Sequence, residues 1–460
     1  MAASIGTTLE LWASSLRDVK GRIRPLFTQS RVAASAALFL DGLLGPERRK
    51  TGWMRGEVAG DPGPWRQQVL LGRGRWEADA LRDVVRDYAL ETLADPDAVL
   101  VIDETGFLKQ GKASCGVGRQ YTGSAGSPKC GAFAAGITNC RIGVFAAYAS
   151  RHGHAFIDRT LYLPKAWTDD PARRAAAHIP ETVGFAAKPR LARAMIERAL
   201  TAHVPFSWVT ADTVYGVGEI EMALRRAGKG YVLGVTGTHQ VRSWGLQPFM
   251  VDAAENVARS LPEDAWQGLS AGDGTKGPRL HDWAYLPLAH LDADEYVDGA
   301  EGSWTRGLLI RRHLGETRRV CAGADGELAY FSTWCPAGTP IATLVAVEGR
   351  RWSIEDAFET AKNELGLDHN ETRSWHGWHR HVSLVMLAFA VLAVTRCQAN
   401  AAAEQTPTRM RWTGARSAAG RSRKSAALPR ALHSAASARR LCSPGQRGAA
   451  LTKPTPNAPT

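Results

Sequence analysis

The fold class of this chain is decided by an apolar run that ends in an acid, Ala98-Val99-Leu100-Val101-Ile102-Asp103. A continuous run of this kind is typical of a strand that is buried on both faces of a sheet. A second run, Phe206-Ser207-Trp208-Val209-Thr210-Ala211, also ends in an acid, Asp212. If these strands are neighbours in one sheet, their carboxylates converge at a common edge. The two runs therefore predict an α/β protein with an acidic site at that edge.

The segments around the two runs alternate between strand-like and helix-like patterns. Two β-rich runs at 142–150 and 156–163 and a helix at 189–203 follow the first run. A helix at 219–227 and a strand at 231–235 follow the second run. The predicted order is three strands, a helix, a strand, a helix and a strand.

Five regions are predicted along the chain. Residues 1–96 show helical spacing and contain a basic stretch at 48–55, so they are assigned to a helical DNA-binding domain, and residues 97–240 form the first part of the α/β core. Residues 241–347 contain short β-like runs with Gly and Pro between them, including one at 341–347, and indicate a β-rich insertion. Residues 348–400 return to helix and close the core, and residues 401–460 are a basic tail.

Composition excludes several classes of protein. At 460 residues the chain has room for two to four structural units, and a small disulfide-stapled peptide is excluded. Of the 57 Lys and Arg residues, 11 lie in residues 405–460, which contain no acid, so the rest of the chain is nearly neutral. This Ala- and Arg-rich tail is predicted to be disordered.

The seven cysteines and the apolar runs indicate a cytoplasmic protein. The cysteines form no Cys-x-x-Cys pair, so neither a zinc ribbon nor a disulfide framework is indicated. No secretion signal is recognised, and the longest apolar run, at 382–394, is too short to span a bilayer. We expect no membrane partner.

A third acid, Glu355, lies on a predicted helix in a charged stripe. Arg351 precedes it by four residues, and Lys362 follows it by seven, so all three share one helical face. If Glu355 converges with Asp103 and Asp212, the three carboxylates suit two Mg²⁺ or Mn²⁺ ions, which prefer oxygen ligands. Such a pair of ions supports in-line displacement at phosphorus, and Arg351 and Lys362 would hold backbone phosphates.

At these residues the chain closely resembles the DDE transposases of bacterial insertion sequences, specifically the insertion-sequence 701 family, which is related to the insertion-sequence 4 group. The similarity is carried by residues 101–107, 209–216 and 351–381 and extends over about residues 30–400. It implies a ribonuclease H-like core in which a β-rich insertion separates the second Asp from the Glu. It also implies excision of a mobile element at its terminal inverted repeats and joining to target DNA, by a homo-oligomer on double-stranded DNA in the bacterial cytoplasm or nucleoid.

The chain departs from the family pattern in three places. The family signature Tyr-x₂-Arg-x₃-Glu-x₆-Lys is filled by Arg351, Glu355 and Lys362, but Glu348 stands in place of the Tyr. Residues 127–135 interrupt a connection that is continuous in relatives, and the tail after residue 404 does not resemble the family C-terminus. An alternative hypothesis is therefore a frameshifted or decayed copy that only binds DNA. A family-like C-terminus in another reading frame past codon 404 would support it.

Further residues are candidates for DNA contact. Arg48, Arg49 and Lys50 precede Trp53 in a basic patch that suits phosphate contact with one stacking ring, although a solvated helix end has the same pattern. Trp334 in the insertion is interpreted either as a ring that stacks on a flipped base or as a buried Trp.

Three other motifs are weighed against these. Gly106 to Lys112 match the spacing of a phosphate-binding loop but lack the following Ser or Thr and a helix start. His376, His379 and His381 lack the ligands of a zinc site and are assigned to a structural or DNA-facing loop, and His152 and His154 are interpreted as strand-end histidines. A glycoside hydrolase with paired carboxylates is disfavoured by the basic residues that flank Glu355.

Overall fold

A mixed sheet of ten strands runs through the part of the chain that this computed structural model describes, which is residues 5–123, 136–243, 250–274, 277–288, 304–313 and 328–405. These residues all belong to one compact unit, Met1–Arg411. The interrupting segment at 127–135 and the tail from residue 406 onward lie outside the described residues, so what the sequence indicates for them stays a prediction.

Five helices precede the sheet, as the helical spacing predicts. They are α1 (Ile5–Ile23), α2 (Ser30–Leu44), α3 (Gly52–Val58), α4 (Trp65–Gly72) and α5 (Ala78–Leu93). Leu81, Val85, Tyr88 and Ala89 form the buried stripe of α5. These helices share one hydrophobic core with the sheet and with the C-terminal helices. Their assignment as a separate domain stays a prediction.

The first half of the sheet follows the predicted order with short additions. Its elements are β1 (Val99–Leu108), β2 (Gly118–Tyr121), β3 (Ile137–Ser150), β4 (Gly153–Leu161), α6 (Lys165–Thr168), α7 (Pro171–Ala176), α8 (Lys188–Thr201), β5 (Trp208–Ala211), α9 (Gly218–Arg226) and β6 (Gly230–Val235). β1 pairs in parallel with β5, and β5 pairs in parallel with β6, whereas β3 runs antiparallel to β1 and to β4. The neighbouring parallel strands that the two apolar runs predict are therefore present.

The strands of the insertion extend the same sheet. The elements are β7 (Gln240–Ser243), β8 (Met250–Ala253), α10 (Ala254–Ser260), β9 (Gln267–Gly274), β10 (Gly277–Leu288), β11 (Trp304–His313) and β12 (Leu328–Pro336). β12 pairs antiparallel with β6, and β11, β10 and β9 follow outward in that order. β7 and β8 form a separate two-stranded sheet.

Three helices close the fold: α11 (Ile341–Gly349), α12 (Trp352–Asn363) and α13 (Trp375–Gln405). The strand predicted at 341–347 is wrong, because these residues form α11. A short apolar run does not by itself distinguish a buried strand from a buried helix, and here the run follows Pro340 at the helix N-cap.

Helix α13 is the central helix of the core. It packs against α1, α2, α4, α5 and β4. It is long and apolar enough to cross a membrane by length and composition, but 78% of its most apolar window is buried inside the protein. Full burial of a Leu, Val or Phe side chain stabilises a fold by about 1.5–3 kcal/mol. The apolar composition of α13 is therefore explained by its burial in the core.

Candidate active site

The carboxylates of Asp103 and Asp212 occupy equivalent places on two parallel strands. The register of β1 and β5 ends with Ile102 opposite Ala211, and each acid is the next residue along its strand. Asp103 lies inside β1, which continues to Leu108, and is not at the strand end that its apolar run predicts. Antiparallel pairing with β3 alone holds this second half of β1. Parallel pairing therefore brings the two acids to one level of the sheet.

Burial and neighbouring negative charge raise the pKa of both acids. Burial, followed by the charge of Asp212, raises the pKa of Asp103 to about 7, even though the N–H of Glu104 donates to its Oδ1 at 2.7 Å. Burial and the charge of Glu104 also raise the pKa of Asp212. The charge of Arg351 lowers both pKa values, but it does not outweigh burial and the neighbouring acids.

The loop after β5 fixes the position of Asp212. The N–H of Val214 donates to Asp212 Oδ1 at 2.9 Å, which closes a local side-chain turn. Gly216 packs so closely on Gly234 of β6 that an added Cβ would overlap the carbonyl oxygen of Gly234. The absence of a side chain at Gly216 therefore lets the loop lie against the sheet and carry Asp212 beside Asp103.

Arg351 connects the two aspartates with Glu355. Its guanidinium lies 3.0 Å from Glu355 Oε1, one helical turn away at the start of α12. Burial lowers the pKa of Arg351, but the charges of Glu355, Glu348, Asp103 and Asp212 outweigh burial and raise it. The structure thus brings Glu355 to the site through Arg351.

Lys362 contacts β1 on the same side of the site. Its ammonium donates to Thr105 Oγ1 at 2.6 Å, and Thr105 lies two residues after Asp103, on the same face of the strand. Burial lowers the pKa of Lys362. The spacing of Arg351, Glu355 and Lys362 on one helical face therefore places the first turn and the last turn of α12 over β1.

Glu104, Lys188 and Tyr215 are site residues that the sequence analysis does not identify. Lys188, at the start of α8, lies 2.5 Å from Glu104 Oε1, and the hydroxyl of Tyr215 donates to Glu104 Oε2. Glu104 follows Asp103 directly in the segment that carries the family resemblance, and this adjacency is the one signal that identifies it. Lys188 and Tyr215 come from separate segments, and no local pattern marks them.

Glu348, which replaces the signature Tyr, is buried and forms an ion pair with Arg311 of β11 at 2.9 Å. The charge of Glu348 also raises the pKa of Arg351, with Glu355 the larger contributor. Glu348 therefore adds a negative charge near the site, and an arginine from the insertion partly compensates for it.

The candidate DNA contacts divide into exposed and buried residues. Arg48 and Arg49 are exposed. Lys50 is 2% exposed, and its ammonium donates to the carbonyl oxygen of Gly45, so it is not available to a phosphate in this conformation. Trp334 is 4% exposed and stacks on Trp304, as the buried alternative for this residue describes.

The histidines assigned to a loop lie in the first turns of α13, so the loop prediction is wrong. His376 and His381 contact the carbonyl oxygens of Gly72 and Gly366, at 2.7 Å and 3.0 Å. Burial lowers the pKa of His381 well below its ordinary value. Gly106 of the phosphate-loop motif lies within β1, opposite Ile142 of β3, where no loop can form around a phosphate.

The pair Asp103 and Asp212 fits a hard divalent cation. Two carboxylates with raised pKa values offer oxygen ligands that Arg351 does not fully neutralise, and Mg²⁺ commonly binds through one or two carboxylates while it keeps several waters. Among the described residues, however, no group of three or more His, Cys, Asp or Glu side chains is arranged to hold a metal. The site with three carboxylates therefore stays a prediction.

Two family models match the chain. One, described as DDE superfamily endonuclease, matches residues 22–260, a range that contains Asp103 and Asp212. The other, described as Transposase DDE domain, matches residues 182–391, a range that contains Asp212 and Glu355. No curated protein matches the chain.

Proposed function

The chain belongs to the DDE superfamily endonucleases, and we propose that it is the transposase of a bacterial insertion sequence of the insertion-sequence 701 family. Its reaction would be cut-and-paste transposition, in which DNA is cleaved at the terminal inverted repeats and the ends are joined to target DNA. The substrates would be double-stranded DNA, and the working form a homo-oligomer on DNA in the cytoplasm or nucleoid.

The observation that carries this proposal is the pair of adjacent acids on parallel strands. Asp103 and Asp212 follow the last paired residues of β1 and β5, and the pKa of each is raised. A stable ion pair would lower both values. Instead one guanidinium, that of Arg351, faces four acids, so the site retains an excess of acids, which suits a site that binds a catalytic cation.

Asp103 and Asp212 would hold the divalent cation, Mg²⁺ or Mn²⁺, with Glu355 as the third ligand of a site for two ions. Bound there, these ions would supply Lewis-acid activation and charge stabilisation for displacement at phosphorus. The chain's own residues bind and orient the DNA strand around them.

Arg351 is proposed to bind the DNA backbone and to release Glu355. Its guanidinium is paired with Glu355 in this structure, and a phosphate can accept two hydrogen bonds from the same group. A backbone phosphate that competes for Arg351 would free Glu355 to complete the acidic site. Lys362 would hold the strand near Thr105, and Arg48 and Arg49 would contact DNA further away.

The architecture supports a ribonuclease H-like core. The parallel strands β1, β5 and β6 form the middle of the sheet, and antiparallel β3 and β4 lie on one side of them. All strands of the insertion fall between Asp212 and Glu355 in the chain, as the family resemblance implies.

A strand-cleavage assay tests the proposal. Purified protein is incubated in Mg²⁺ with labelled DNA that carries the ends of the host element. We expect cleavage by the unmodified chain and a loss of at least about 10³-fold in Asp103→Asn, because a group that holds transition-state charge is removed. Asp97→Asn, an exposed acid just before β1, is the matched control and should cleave normally.

A second candidate function is that of an inactive transposase that only binds DNA. The ion pair between Arg351 and Glu355 gives this candidate some support. In that case the unmodified chain would bind the element ends and cleave nothing in Mg²⁺ or Mn²⁺. Cleavage that depends on Asp103 would exclude this alternative. Absence of both binding and cleavage would contradict the proposed function itself.

A further inference from the structure

A basic pocket lies beside the first turn of α12. It has a volume of about 340 Å³ and is formed by the turn between β3 and β4, the residues that precede α12 and the later turns of α13. Arg151, Arg350 and Arg396 line it together with Ser150, Ser353 and Asn400. No acid is found among the described residues that line it.

Two of the three arginines lack a counter-charge. Arg151 lies 3.4 Å from Asp95 and is partly neutralised. Arg350 donates to the carbonyl oxygen of Ser150 at 3.3 Å, and neither Arg350 nor Arg396 has an acidic partner within ion-pair distance in the part of the chain that the structure describes. Arg198, by contrast, is paired with Asp158 at 2.8 Å. The excess of positive charge therefore points to a ligand.

Besides burial, the positive charge of the pocket's arginines lowers the pKa of His154, which also lines the pocket. Burial, followed by the charges of Arg396 and Arg350, lowers the pKa of His154 to about 4. This occurs although the carboxylate of Asp356 lies 3.5 Å from its ring. The imidazole is consequently neutral near neutral pH, and the pocket's charge comes from its arginines.

We propose that this pocket is a phosphate-binding site that grips the DNA backbone next to the acidic site. Guanidinium groups match phosphate oxygens through paired hydrogen bonds, and the amide of Asn400 adds a neutral donor. The hydroxyls of Ser150 and Ser353 donate to the carbonyl oxygens of Gly153 and Arg350 instead. The assignment of the phosphate to the DNA backbone rests on the proposed function. The phosphate-binding chemistry of the pocket does not depend on that function.

The position of the pocket fits a strand that passes over α12. Arg350 precedes Arg351 directly, and Ser353 lies two residues before Glu355 on the opposite side of the same helical turn. A helix with its side chains is about 10–12 Å across, so the pocket and the acidic site are separated by roughly this distance. A phosphate held in the pocket would keep the neighbouring part of the strand at the acids.

The positive charge of the pocket excludes the basic C-terminal tail of the chain as its occupant. The chain that follows α13 carries 11 Lys and Arg residues and no acid in residues 405–460, so its side chains do not complement an arginine pocket. The remaining sources of phosphate are the DNA backbone, which we favour, and a free phosphate or nucleotide.

DNA binding as a function of salt tests the proposal. The affinity of the full-length chain for labelled DNA is measured by fluorescence anisotropy in EDTA over a series of NaCl concentrations. Each phosphate contact contributes about one unit to the slope of log affinity against log salt. We expect Arg350→Gln with Arg396→Gln to reduce the slope by about one to two units. Arg226→Gln, which removes an exposed arginine at the C-terminal end of α9, should leave it unchanged.

A second variant tests the pocket with a substitution that the fold should tolerate. Asn400→Asp adds a negative charge to the pocket with almost no change of shape, and Asn400 is exposed, so the fold should tolerate it. It should weaken DNA binding several-fold at low salt, with the effect fading as salt screens the charge.

A parallel thermal-unfolding series with inorganic phosphate, matched in ionic strength with NaCl, separates the two sources. If phosphate raises the melting temperature of the unmodified chain but not of the pocket variants, while the DNA slopes are equal, the site binds free phosphate and the DNA assignment is overturned. If neither the slope nor the melting response differs between pocket variants and Arg226→Gln, the pocket is not a phosphate site. If the unmodified chain binds no DNA at all, the proposed function fails, and the phosphate series still decides the pocket.

Discussion

Asp103 and Asp158 share a local structure but differ in their surroundings. Asp103 lies on β1 and Asp158 on β4, and each accepts a hydrogen bond at 2.7 Å from the main-chain N–H of the next residue. Asp158 faces cations, with Arg198 at 2.8 Å and Arg82 at 3.9 Å. Asp103 faces Asp212, and burial together with this second acid raises its pKa to about 7.

The charged cluster around Asp158, formed by Asp79, Arg82, Asp158, Arg159 and Arg198, joins α5, β4 and α8. Burial alone would raise the pKa of Asp79, but the guanidinium of Arg159 lowers it. In this cluster three guanidinium groups face two acids, so each acid has a cationic partner, and the cluster holds the helices on the sheet. Around Asp103 the acids outnumber the cations, and they leave a site that can bind a cation. The balance of charge, and not burial, therefore separates a stabilising cluster from a candidate active site.

Removing the carboxylate charge from the charged cluster is expected to have the largest effect on stability. Asp158→Asn takes a counter-charge from Arg82 and Arg198 and should lower the free energy of unfolding by about 2–3 kcal/mol. This is less than the 3–5 kcal/mol expected for a fully buried pair, because the Arg198 side chain is 37% exposed. Urea unfolding measures the loss, with Asp87→Asn on α5, whose side chain is 62% exposed, as control. A loss below 0.5 kcal/mol, about the size of a surface pair, would contradict the role of this cluster.

The glycine under Asp212 is expected to have the next largest effect. Gly216→Ala forces a Cβ into the carbonyl oxygen of Gly234 and should cost about 1–3 kcal/mol of unfolding free energy, with a fall in DNA cleavage because Asp212 moves. Gly218→Ala is the matched control, since a Cβ there meets nothing within 4 Å. Equal stability of the two variants would show that the loop after β5 is not held by this close contact.

Removing the carboxylate charge of Asp103 is expected to raise the free energy of unfolding instead of lowering it. The change is smaller and depends on pH. Its folded pKa of about 7 lies above the ordinary 3.8, so the folded state keeps a proton that the unfolded state releases between about pH 4 and 7. This group therefore lowers stability as pH rises through that range. In EDTA, Asp103→Asn should exceed the unmodified chain by about 1 kcal/mol at pH 8, after allowance for solvent screening at a half-buried group. The difference should vanish near pH 4, and a variant that is less stable at pH 8 would refute the charge imbalance.

Local sequence patterns predict much of the sheet and part of the site. The runs before Asp103 and Asp212 predict neighbouring parallel strands, because buried strands have a compositional signature. The run at 341–347 is misassigned because its apolar residues suit a helix equally well. Glu104 with Lys188, and Glu348 with Arg311, depend on contacts between distant segments. No local pattern encodes such contacts, and the burial of Lys50 is hidden for the same reason.

Binding of Mg²⁺ to the purified chain tests the central claim most directly. The melting temperature is measured at pH 8 with increasing Mg²⁺ for the unmodified chain, Asp103→Asn and Asp97→Asn, because a ligand that binds only the folded state raises its stability. If the unmatched acids at 103 and 212 form a cation site, Mg²⁺ should stabilise the unmodified chain and Asp97→Asn but not Asp103→Asn. An equal response of all three proteins would contradict the account.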